Sequence, residues 1–73
     1  MNLDLIKMYE IDSRLIQFLK NNNQKYTNKA IKALLFDHQE NVTEDLLEKM
    51  FHILVNVKVV LSENFGVKIY YFI

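Results

Sequence analysis

Seventy-three residues, 51% of them apolar, with nine Lys or Arg against nine Asp or Glu, describe one small domain with enough hydrophobic side chains for a single packed core. There is no Cys, which excludes disulfides and thiolate metal sites. The zero net charge gives no overall pull towards nucleic acid or a membrane surface.

The N-terminus has no cationic stretch followed by an apolar run, so no signal peptide is expected. No apolar run approaches the roughly 20 residues of a membrane span. The expected setting is cytoplasm and nucleus, with no membrane partner. Met1 to about Lys20 reads as a helix, because Met8, Ile11, Leu15 and Phe18 or Leu19 recur at spacings of three and four. Asn21, Asn22 and Asn23 end it, since Asn favours turns and tolerates the left-handed conformation. Thr27 is placed to cap a second helix over 28–37, with Ala30, Ile31, Leu34 and Leu35 as its buried face.

A polar loop is expected from His38 to Val42. Thr43 then caps a third helix whose first turn carries Glu44 and Asp45, favourably placed at the positive end of the helix dipole. Leu47, Met50, Phe51 and Leu54 form its apolar stripe. Beyond Leu54 the period changes. Val57, Val59 and Leu61 alternate with Lys58 and Val60, which suits a strand. Ser62 to Gly66 reads as a turn and Val67 to Ile73 as the returning strand, with Val67, Ile69, Tyr71 and Ile73 on one face and Lys68, Tyr70 and Phe72 on the other. The expected fold is therefore α+β, a single winged-helix domain over 1–73: three helices followed by a C-terminal β-hairpin, the second and third helices in a helix-turn-helix relation.

No catalytic constellation is visible. His38 and His52 have no second ligand at metal-binding spacing, Ser13 and Ser62 lie outside any nucleophile-elbow context, and one Gly cannot build a phosphate-cradling loop. Glu44, Asp45 and Glu48 are the carboxylates of a helix start. The expectation is a non-enzyme without cofactor or metal.

A helix-turn-helix plan raises nucleic-acid binding as one reading, using a basic stripe on the second helix at Lys25, Lys29 and Lys32 and the wing, near which lie Lys58 and Lys68. The third helix argues against it. It would present Glu44, Asp45, Glu48, Lys49, His52 and Asn56, and its three carboxylates repel phosphates.

The segments Tyr9-Glu10-Ile11-Asp12 and Leu15-Ile16-Gln17-Phe18-Leu19-Lys20 resemble the region near the C-terminus of cullins, the scaffold subunits of multisubunit ubiquitin ligases. The likeness continues through Leu47, Glu48, Lys49, Phe51, Ile53, Leu54 and Val55, and ends on the Tyr-rich terminus Tyr70-Tyr71-Phe72-Ile73. The chain departs from the family pattern at Asn21–Asn23, where cullins carry further basic residues, at Asn56–Val59, where they carry a charged stretch ending in Tyr, and at Phe72-Ile73, where they have a small-residue ending. Such a pattern is similar to a divergent cullin, or to the cullin-like subunit of the anaphase-promoting complex that drives the cell cycle. The resemblance implies a C-terminal piece of a larger scaffold, with Lys20 as isopeptide acceptor for a ubiquitin-like modifier (neddylation). It further implies a RING-box subunit and a modifier-conjugating enzyme as partners, met through Tyr9, Ile11, Asp12 and Gln17.

Overall fold

The computed structural model describes the backbone of residues 3–73 and the side chains of residues 7–73. Met1 and Asn2, expected to begin the first helix, lie outside the described residues. The chain is α+β: α1 (Leu3–Asn21), β1 (Tyr26–Thr27), α2 (Asn28–Leu35), α3 (Glu44–Asn56), β2 (Leu61–Phe65) and β3 (Lys68–Phe72), with the strands in one antiparallel sheet of order β1-β3-β2. The short β1 between the first two helices is absent from the expected plan of three helices and then a hairpin. It pairs Tyr26 with Tyr71 and Thr27 with Tyr70.

Local chemistry explains the helix ends. The Asn22 side chain donates to the Phe18 carbonyl at 2.8 Å and closes α1. Thr27 and Thr43 both hold extended backbone, and their hydroxyls accept from Ala30 N and Leu46 N at 3.2 and 3.1 Å, satisfying amides that have no partner inside the helix. Val42 precedes the Thr43 cap and Leu47 stands one turn into α3; both are buried, in the positions of a hydrophobic staple. The loop expected to be wholly polar is therefore pinned at Val42.

The core gathers Ile11, Leu15 and Leu19 of α1, Ile31 of α2, Leu47, Met50, Phe51 and Leu54 of α3, and Val60 and Tyr71. Phe36 joins them, whereas Leu34 does not. The second helix stops at Leu35, short of the expected 37, and its C-cap Phe36 turns under into the core. Ile31 and Leu35 then line the inward side of α2. Leu34 lies on the other side of Ile31 from Leu35 and is 61% exposed. Lys32 secures this ending, donating from Nζ to the carbonyls of Phe36 and Gln39 at 2.6 and 2.8 Å. Arg14 ties α1 to the same place through a 3.0 Å bond to the Leu35 carbonyl, with its guanidinium 4.6 Å from the Phe36 ring centre.

The first hairpin strand begins later than its β-branched run suggests. Lys58 adopts φ 63°, and the amides of Lys58 and Val59 bond back to the carbonyls of Val55 and Leu54 at 3.0 Å. That is a Schellman ending with Lys where Gly is usual. Residues 57–60, expected as strand, form the turn instead, which leaves Val57 and Val59 exposed and buries Val60. Ser62 to Phe65, expected as a turn, are strand, and the turn is reduced to Gly66 and Val67. Gly66 has φ 62° at the first central position of this two-residue loop, the II′ pattern that matches strand twist.

Ile31→Ala is expected to cost about 2–5 kcal/mol in denaturant unfolding, whereas Leu34→Ala stays within about 0.5 kcal/mol. Lys58→Gly relieves the left-handed backbone and is expected to raise stability by up to about 1 kcal/mol in the same measurement.

Candidate functional site

The outer face of α1 opposite the core carries the residues singled out by the cullin resemblance. Tyr9 is 74% exposed, Gln17 is exposed, and Lys20 is exposed in the last turn, where an ammonium favours the helix C-terminus. Tyr9 and Lys20 are eleven residues apart, close to three whole turns, so they lie along one line of the helix. Asp12 is half-buried beside them, and burial raises its carboxyl above the ordinary 3.8. Ile11 is a correction to that set, because its side chain belongs to the core.

The cations of the nucleic-acid reading do not form a stripe. Lys25 lies before β1 and not on α2, pairs with Glu63 of β2, and holds its Nζ 4.9 Å from the Phe72 ring centre. Lys32 is bound to two carbonyls, and Lys29 remains exposed on α2. Glu44, Asp45 and Glu48 are exposed along the leading part of α3. His52 is exposed further along it, and His38 is an exposed loop residue 3.8 Å from the Asp37 carboxylate. Among the described residues no cluster of three or more His, Cys, Asp or Glu side chains could hold a metal ion. No described helix is long and apolar enough to cross a membrane.

The hairpin contributes a surface that the sequence reading missed. Pairing of Leu61 with Phe72, Glu63 with Tyr70 and Phe65 with Lys68 puts these six side chains on one face of the sheet. Ser62, Asn64, Ile69 and Tyr71 share the other, which faces the helices through the buried Tyr71. The outward face is thus largely apolar, with Leu61 52% and Phe65 63% exposed and the Phe65 ring set edge-on to Tyr70 at 6.0 Å. Val67, fully exposed, stands at the tip. The available signal was the alternation of Leu61, Phe65, Tyr70 and Phe72, which only becomes a patch once the register is known. A groove of about 480 Å³ also runs between α1 and the α2–α3 loop, walled by Lys7, Glu10, Arg14, His38 and Glu40. Its Arg14 is already engaged with Leu35 and Phe36.

Comparison of the chain with protein-family models, curated proteins and solved structures found no match.

Tyr71 links this surface to the core. Burial pushes its phenol above 10.0, and the nearby Glu48 carboxylate adds to the shift by opposing a second negative charge. An acid whose folded value is raised lends stability that is complete below its unfolded value and lost as pH climbs through the folded one. Unfolding free energy is therefore expected to fall once pH passes 10.0, and Tyr71→Phe is expected to flatten that alkaline loss in denaturant titrations repeated across the range.

Proposed function

We propose that this chain is a non-catalytic winged-helix docking module of the cullin type, with Lys20 as the acceptor amine for a ubiquitin-like modifier. The observation that carries this reading is the exposed line on α1 from Tyr9 to Lys20, with Gln17 beside it and the acceptor in the last turn next to an open loop. An isopeptide acceptor must reach a thioester held by another protein, and a lysine at a helix end meets that requirement. The order α1-β1-α2-α3-β2-β3, with a terminal hairpin over a helix-turn-helix pair, supports the winged-helix form. The cullin identity rests on the resemblance of residues 9–20 and of the Tyr-rich terminus.

In this reading the chemistry belongs to partners. A conjugating enzyme delivers the modifier and accepts the proton that the ammonium must lose, so that the nitrogen attacks the thioester carbonyl, forms the amide and expels the enzyme's thiolate. A RING-box subunit holds the enzyme close. Modification then adds a folded protein at the end of α1 and changes what this domain can dock against. The charge pattern of α3 supports a protein partner over a nucleic acid, because its exposed leading residues are carboxylates.

The test is incubation of the chain with a RING-box partner and charged modifier-conjugating enzyme, followed by mass spectrometry of the product. An isopeptide at Lys20, lost in Lys20→Arg, is the expected result. Absence of a conjugate while the RING partner is bound would remove the acceptor role and leave an unmodified scaffold module. Tight, salt-sensitive DNA binding would remove both.

A further inference from the structure

We propose that the outward face of the sheet is a self-association surface, on which a second copy of this chain docks about a two-fold axis. The inference is independent of the scaffold reading and stands whether or not Lys20 is modified. Its first support is composition. An antiparallel sheet with one face on the core ordinarily shows polar residues on the other, but here four of the six paired side chains on the solvent side are Leu61, Phe65, Tyr70 and Phe72, beside Glu63 and Lys68. Leu61 and Phe65, 52% and 63% exposed, are the apolar side chains on this face that a partner would cover most.

The second support identifies the occupant. Amid these side chains sits the charge pair of Lys25 with Glu63, its cation also resting on the Phe72 ring, while Lys68 stands apart at the turn end of the face opposite Phe65. A purely apolar partner would strip water from both charges and return nothing for it, a cost that often exceeds the attraction within the pair. A second copy turned about a two-fold axis carries the same pair in opposite order. Each Lys25 then meets the other copy's Glu63, and four charges alternate in sign. An isologous interface requires such self-complementarity. The zero net charge adds no repulsion between copies.

Size sets the strength. Two five-residue strands make a face roughly 17 Å long and about 10 Å wide. That is far below the ~800 Å² per partner of a standard interface, so association is expected to be weak and concentration-dependent.

Sedimentation equilibrium of the 73-residue chain, from about 10 µM to about 1 mM, reads this directly. The average mass is expected to climb from 8.8 kDa towards twice that value. Phe65→Glu is expected to stay monomeric throughout with its helical circular dichroism intact; should it unfold, Leu61→Asp, on the same exposed face, replaces it. Lys25→Glu and Glu63→Lys are each expected to lose association, because like charges then face each other across the axis. Mixing those two variants is expected to restore it as a heterodimer. A wild-type chain that stays monomeric at the highest concentration overturns the proposal. So does undiminished association of the folded Phe65→Glu chain, or failure of the mixed charge variants to pair.

Discussion

The rings of Phe51 and Tyr71 lie almost parallel, 7° apart with centres at 4.0 Å, and join the third helix to the middle strand of the sheet. Tyr71 pairs on one side with Tyr26 and on the other with Ser62, so every strand is referred to this one residue. A stacked pair contributes about 0.5–1.5 kcal/mol beyond the area it buries. Its larger effect is geometric. With β3 held against α3 at this point, the distal half of the hairpin lies alongside the exposed side of the helix, and Asn64 and Ile69 come near Glu48 and His52. The tilted contact of Phe18 with Tyr26, centres 4.9 Å apart, carries the same connection to α1. The surface of the molecule is therefore arranged by aromatic contacts in its interior.

Register follows from the turn that precedes the hairpin. The left-handed Lys58 ends α3 within four residues and delivers Val60 to the core, which leaves Leu61 as the first residue of β2 and points it outward. Because side chains alternate along a strand, that single choice also turns Glu63 and Phe65 outward, and pairing does the same for Lys68, Tyr70 and Phe72. A slip of β2 by one residue would turn Leu61 and Phe65 inward and Ser62 and Asn64 outward. The apolar outer face is thus a consequence of the helix ending combined with the two-residue Gly66 turn.

Features whose cause is local could be read from the residues directly. The threonine caps at 27 and 43 need only a hydroxyl and the next few amides, and the stripe of Leu47, Met50, Phe51 and Leu54 repeats at helical spacing; all are found as expected. The alternation in the last strand also has the expected parity. What could not be read depends on distant partners. β1 is two residues long, too short for any period, and exists because β3 lies beside it. Leu34 and Phe36 exchange roles because α2 ends early, and that ending relies on Lys32 reaching two carbonyls beyond it. Lys25 and Glu63 are 38 residues apart, and nothing in the local sequence joins them. On α1 the stripe that includes Ile11 and omits Tyr9 already pointed to the core, and the partner-contact reading of Ile11 conflicted with it.

The allocation of charge bears most on function. A phosphate-binding surface needs cations that are free to approach the backbone of a nucleic acid. Here Arg14 holds the Leu35 carbonyl and covers Phe36, Lys32 holds two carbonyls, and Lys25 holds Glu63 and covers Phe72. Each is a structural cation, and recruiting it for a phosphate would break a contact that closes a helix or joins a strand. The carboxylates of Glu44 and Asp45 are likewise placed by helix physics, since the amino end of α3 favours negative charge. That stability and a phosphate site compete for the same helix end, and this chain has resolved the competition towards stability. Lys20 lies exposed in the last turn of α1, along a line of surface that begins at Tyr9. Of the three lysines in the nucleic-acid reading, two are therefore held by contacts inside the fold and only Lys29 stands exposed on α2, while the leading end of α3 carries carboxylates.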